Sequence, residues 1–388
     1  MATIFAPVLP EKFWHKTLLI QDSNLPTPVH SNKLLTKYNN VFKHYNYDLY
    51  PGQLLCKNYK KTKSKFADLT FSTLSPFCQI NKSIQEFGFC LDDKEFYVST
   101  EAELKVWLSF LKPMCILNSL EEDFVILKQI GKGGTCTVHL AKSFYDEETY
   151  AIKTISKERI FSHASGLENL LVEISILRDM DHPHIAKLHY VYESSDSIDL
   201  VVEYLPGGCL NDLINKKKRL PENKCKIIAR ELLETLDYLH KRSIVHRDLK
   251  LENIILTGNN ELEFKIIDFG LAFEGGKEGA KCGSPGYVAP EIMLKEAYDS
   301  KIDVYSTGVI LYVLLCGKHP FTGRNEDKLL KNNIKGKFTV RKDLSEEAKS
   351  MIKKMMEIDP DLRPDAKQVL EMPWFSIKKD SDSAFITS

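Results

Sequence analysis

The chain has 388 residues, with 53 Lys+Arg against 53 Asp+Glu and 43% hydrophobic residues, a length comfortable for two globular domains and a charge balance that by itself selects no partner. Its nine cysteines include no C-x-x-C pair, which excludes a disulfide framework and a thiolate zinc site. The N-terminus has no basic-then-apolar leader, Ala2 excludes myristoylation, and no apolar run approaches the roughly 18 residues of a membrane span, so a cytoplasmic compartment is expected.

Residues 1–27 are proline-punctuated and aperiodic, and are read as an arm. From 28 to 115 short β-type runs ("QLLCKNY", "FADLTFSTL", "FGFCL", "EFYVS") alternate with turns, with Pro51-Gly52 and Asp92-Asp93-Lys94 at hairpin positions. Thr100 and Glu103 then form a capping-box pattern, and Leu104, Trp107, Leu108 and Leu111 repeat at helical spacing until Pro113. Several strands closed by one amphipathic helix predict a small α+β, barrel-like module. The stretch "FGFCLDDKEFYVSTEAELKVWLSFL" with Trp107 resembles the closing hairpin and helix of a pleckstrin-homology domain over about 30–112.

That module is basic: between Val29 and Lys65 stand lysines 33, 37, 43, 57, 60, 61, 63 and 65 against the single acid Asp48. The resemblance makes phosphoinositides or an anionic membrane surface candidate partners, with peripheral membrane location as the corollary. Tyr45 departs from the pattern, since the family's lipid binders carry a basic residue two positions past Lys43. Residues 116–123 are read as a linker.

A second unit, 124–375, begins with strands and becomes helical after "YLPGG" at 204–208. Ile130 leads into "GKGGTCTV", where Gly131 and Gly133 allow backbone N–H groups to approach phosphates, with Val138 beyond them; a plain hairpin turn is the competing reading. Ala151-Ile152-Lys153 lies on a strand and Glu173 on a helix marked by Leu167, Leu170, Leu171, Ile174 and Leu177, so the lysine and glutamate can pair. The run "IVHRDLKLENIIL" followed by "IIDFG" supplies Asp248 to orient a hydroxyl, Lys250 to neutralise a transferring phosphoryl group, and Asn253 and Asp268 as oxygen ligands for Mg²⁺.

These motifs, with Ala289-Pro290-Glu291 after them, resemble the eukaryotic protein kinases, and "CGSPGYVAPE" and "DPDLRPDAKQVLEMPWF" resemble the calcium/calmodulin-dependent group most. The resemblance implies a bilobal α+β fold, ATP and Mg²⁺ as cofactors, Glu203 and Leu205 at the adenine, Ser/Thr-bearing protein substrates, and no nucleic-acid partner. It also implies a Glu291–Arg363 pair and an Asp303 anchor beneath the catalytic loop. A nucleotide-binding scaffold without transferase activity is the alternative reading.

Several positions depart from the pattern. Cys136 replaces the third loop glycine, and Cys209 replaces an acid of the substrate subsite in which Glu252 remains. The residues 376–388 are too short and polar to form a calmodulin-binding helix. In the activation segment, "EGGKEGAKCGSPGY", Ala280 stands where a phosphothreonine is usual and Phe273 where its basic receptor partner is usual, leaving Glu278 as a surrogate anion for Arg247. Activity without activation-loop phosphorylation is therefore expected.

Overall fold

The computed structural model describes residues 4–5, 15–16, 27–38, 41–57, 64–81, 84–134, 136–260, 262–276 and 278–376, arranged in two compact units. The first unit comprises 1–166 and 188–204 and is built on one 14-stranded sheet. Its strands are β1 (His15–Lys16), β2 (His30–Tyr38), β3 (Val41–Tyr50), β4 (Gln53–Lys57), β5 (Lys65–Asp68), β6 (Thr73–Asn81), β7 (Ile84–Leu91), β8 (Lys94–Val98), β9 (Ile116–Leu117), β10 (Phe124–Lys132), β11 (Cys136–Ser143), β12 (Thr149–Ser156), β13 (Leu188–Glu193) and β14 (Ser197–Glu203). They lie in the order β1-β5-β4-β3-β2-β8-β7-β6-β9-β13-β14-β12-β11-β10.

The turns follow their residues. Pro51-Gly52 joins β3 to β4 with Gly52 at φ +70°, and Asp92, at φ 53°, joins β7 to β8 in the left-handed region that Asp tolerates better than most side chains. Helix α1 (Glu101–Leu111) starts at Thr100, whose side chain accepts the Glu103 amide at 3.1 Å, and buries Leu104, Trp107 and Leu111. Glu103 returns a carboxylate to the Ser99 amide at 3.0 Å, one residue earlier than a capping box would. Trp107 is fully buried against Phe89 and against the edge of His30. The stretch expected to be a linker contains β9 and a helical turn, α2 (Leu120–Asp123). Helix α3 (Lys157–Ser162) follows β12.

The second unit comprises 167–187 and 205–388. Its helices are α4 (Gly166–Asp179), α5 (Leu210–Lys217), α6 (Glu222–His240), α7 (Pro290–Leu294), α8 (Lys301–Cys316), α9 (Glu326–Ile334), α10 (Glu346–Met355), α11 (Ala366–Leu370) and α12 (Pro373–Ser376). Helix α8 is buried from Ile302 to Leu315, its polar residues Asp303, Ser306 and Thr307 included, which makes it the central post of this unit. Two short ladders, β15 (Ile244–Val245) with β18 (Phe273–Glu274) and β16 (Ile254–Leu256) with β17 (Phe264–Ile266), fix the segments on either side of the catalytic loop.

Candidate active site

The nucleotide-loop residues lie in the first unit. Antiparallel pairing sets Gly131 opposite Val138, Val138 opposite Lys153, Ala151 opposite Val202 and Tyr150 opposite Glu203, so four strands hold these residues in register. The Gly133 amide donates to the Cys136 carbonyl at 2.9 Å, closing the hairpin. Neither Gly131 nor Gly133 has a left-handed φ. A Cβ at Gly133 would meet no atom closer than 3.8 Å, and one at Gly134 nothing within 4 Å. The chain's own packing therefore does not require glycine at either site, whereas a phosphate approaching the backbone does. Ile130 precedes this hairpin as an exposed apolar residue.

Glu173, Leu205, Asp248, Lys250, Asn253 and Asp268 belong to the second unit. Three of them are brought together directly. Lys250 Nζ lies 2.6 Å from Asp248 Oδ2, and Asn253 Nδ2 donates to the Asp248 carbonyl at 2.9 Å. That bond commits the amide nitrogen of Asn253 to the loop and leaves its oxygen for a hard cation. Asp268, held at φ 66°, follows Ile267, whose amide donates to the Asn253 carbonyl at 2.9 Å. The Asn253 amide oxygen and the Asp268 carboxylate, on segments joined by that bond, are donors of the type Mg²⁺ takes. Glu173 is buried on α4 with Leu170, Ile174, Ile176 and Leu177.

Asp303 fixes the loop from below. Fully buried on α8, it accepts the His246 amide at 2.9 Å and the Arg247 amide at 3.0 Å, and lies 3.0 Å from His240 Nε2. Burial alone would raise its carboxyl; these donors, His240 first among them, hold it below the usual carboxylate range. Arg247 thereby adopts φ 65°, a strained value for a non-glycine residue that the two-point anchor enforces. The expected Glu291–Arg363 pair is present, bidentate at 2.6 and 3.1 Å and almost fully buried. Tyr305, where a tryptophan is usual, donates its hydroxyl to Asn333 and lies beneath the Arg363 guanidinium.

Two contributors were not singled out as site residues: Ser284, inside "CGSPGYVAPE", and Tyr298. Ser284 donates to Asp248 Oδ1 at 2.7 Å and lies 2.9 Å from Lys250 Nζ, tying the activation segment to the catalytic pair. Tyr298 donates to the Ala280 carbonyl at 2.8 Å and accepts from Arg247 Nη1 at 3.3 Å. A serine three residues before a tyrosine in a turn-rich segment could have drawn notice; nothing in "KEAYDS" marks Tyr298.

A carboxylate–lysine pair beside Asn253 in the second unit, and a glycine hairpin in the first, are the residue types phosphoryl transfer uses. The protein kinase domain family matches residues 124–375, and the chain belongs to that family. The chain is 38% identical to a probable myosin light chain kinase of Dictyostelium discoideum over 65% of its own length and 83% of that protein's. It is 36% identical to a calcium/calmodulin-dependent protein kinase type 1 of Macrobrachium nipponense, over 67% and 77%. It is 35% identical to the serine/threonine-protein kinase cds1 of Schizosaccharomyces pombe, over 67% and 60%. The enzyme is a protein serine/threonine kinase.

Proposed function

We propose that this kinase transfers the γ-phosphoryl group of ATP to protein serine and threonine hydroxyls without needing a phosphate in its activation segment. ATP would supply the phosphoryl group, and Asn253 and Asp268 would hold Mg²⁺, which would offset the phosphate charge. Asp248 orients and accepts the proton of the substrate hydroxyl. Lys250 meets the developing negative charge, and Gly131 and Gly133 admit the phosphates to backbone amides. Little covalent work falls to the protein, so positioning and electrostatics supply the acceleration.

The observation that carries the phosphate-independent reading is the engagement of Arg247. Its guanidinium lies 4.9 Å over the Phe273 ring, its Nε donates to the Leu271 carbonyl, and Nη1 reaches the Tyr298 hydroxyl. Glu278 stands 3.8 Å away. The Glu278 carboxylate also accepts the Gly279 and Ala280 amides at 2.7 and 3.1 Å, and these bonds, led by Gly279, hold it below the usual range. A group that a phosphothreonine would otherwise grip is thus already engaged from four sides.

The N-terminal module is proposed to be pleckstrin-homology-like and to take anionic headgroups at the β2–β3 hairpin, where Lys33, Lys43 and His44 are exposed. Lys57 is committed to Asp48 at 2.5 Å; Lys60, Lys61, Lys63 and the Lys37 side chain lie outside the described residues. Loss of phosphoinositide-vesicle sedimentation in a Lys33→Ala/Lys43→Ala variant is expected, and unchanged sedimentation sinks that assignment.

A radiolabelled-phosphate assay on a protein substrate tests the activity. Asp268→Asn should lower incorporation by at least ~10³-fold. Equal incorporation by the variant, or none by the wild type, favours the nucleotide-binding scaffold.

A further inference from the structure

In the small-lobe part of the sheet, β10-β11-β12-β14-β13, strand β13 is outermost. A bare strand edge of this kind offers unpaired N–H and C=O groups to any passing chain. Here β9 covers it in parallel register, Ile116 opposite Val191 and Leu117 opposite Tyr192. The far edge of β9 pairs in parallel with β6, Thr73 opposite Ile116 and Leu74 opposite Leu117. Two buried residues therefore join the N-terminal module to the nucleotide-binding strands through main-chain hydrogen bonds.

Side chains reinforce the joint at both ends. Asp123 accepts from Lys112 Nζ at 2.9 Å, from the Tyr145 hydroxyl at 2.7 Å and from the Tyr192 hydroxyl. Lys112 is the C-cap of α1 and also lies 4.6 Å over the Tyr145 ring. Burial would raise the Asp123 carboxyl, yet its donors, Tyr192 first, hold it low. At the other end Phe5 is fully buried and stacked on Phe71 at 5.4 Å. The Ile4 amide donates to Glu193 Oε1 at 2.8 Å, and that same oxygen pairs with Lys157 Nζ at 2.8 Å. One hydrophobic cluster runs from Leu34, Phe89 and Trp107 of the module through Leu117 to Phe124, Ile152 and Val201 of the small lobe.

We propose that the N-terminal module is a fixed brace of the small lobe: it closes the β13 edge and folds with the nucleotide-binding strands as one cooperative unit, and does not act as a tethered domain that swings. The joined strands lead from β13 to β14, which ends at Glu203, and on to β12, which carries Lys153. A perturbation of the module core must then reach strands far from it in sequence. This inference concerns folding units and stands whether or not the module binds lipid or the kinase acts without a phosphate.

Hydrogen exchange on the full-length protein tests it. Leu34 is fully buried on β2, distant in sequence from β13. Leu34→Ala should accelerate amide exchange in β13 and β14 by the same factor as in β7 and β8, at least ~tenfold. Acceleration confined to 28–111 overturns the proposal. If Leu34→Ala fails to fold, Leu34→Val serves with a smaller common factor. A third variant, Asp123→Ala, should split the single thermal transition of this unit into two. A wild type that already melts the module separately from the small lobe contradicts the brace outright.

Discussion

The catalytic loop and the activation segment of the helical unit are both fastened through Arg247, by opposite means. Its backbone is held by Asp303, a carboxylate with no exposure and donors on each oxygen. Its side chain is held by Phe273, Tyr298 and Glu278, and the last has 37% of its side chain exposed. A buried, fully satisfied charge is costly to disturb and insensitive to salt, whereas an ion pair at the rim contributes little. The catalytic loop therefore rests on a permanent anchor, and the activation segment rests on an aromatic face, a phenol and a weak local charge.

The largest expected effect is on the buried side of this comparison. Asp303→Ala should cost about 3–5 kcal/mol of stability, since it strands the His246 and Arg247 amides and His240 in a dry site. Chemical denaturation checks the stability, and kcat should fall by at least ~10²-fold in whatever protein folds. Tyr298→Phe comes next. It removes the hydroxyl that joins Arg247 to the Ala280 carbonyl, for about 1–3 kcal/mol, and should lower kcat/KM roughly tenfold at neutral pH. Glu278→Ala should change kcat/KM less than about threefold, and added salt should erase the difference. A collapse of activity in this variant would mean the rim charge matters more than the aromatic contact.

Acidity acts on the two anchors with the same sign. Both carboxyls are depressed below their ordinary values, 3.8 for Asp303 and 4.5 for Glu278. Each stabilises the fold fully above its ordinary value and loses that contribution as pH falls through its depressed one. Acid titration of Glu278→Gln should therefore run below the wild type in stability above pH 4.5 and converge with it as pH falls below that value. The difference should be small, because Glu278 is solvent-facing.

The kinase family was legible in the sequence. Asp248, Lys250, Asn253 and Asp268 sit in contiguous motifs, and the Glu291–Arg363 pair and the Asp303 anchor were what the resemblance to protein kinases implied. The proposal of a phosphate-independent segment also began in the sequence, with Ala280 and Phe273 at positions where the family resemblance leads one to expect other residues. Tyr298 was not legible there, because its role depends on a contact across 18 residues with a carbonyl, and a carbonyl has no sequence. The same holds for β9. A two-residue strand has no periodicity, so 116–123 reads as a linker until pairing with β6 and β13 is seen. Asp123, Tyr145 and Tyr192 meet across 69 residues without any motif to announce them.

The central claim, catalysis without a phosphorylated activation segment, is tested most directly on protein made in bacteria and treated with phosphatase. Its turnover on a protein substrate should equal that of untreated protein and should not rise with an upstream kinase, while mass spectrometry shows no phosphate between Leu271 and Ala289. Protein that stays inert until a phosphate appears in that span would contradict the account.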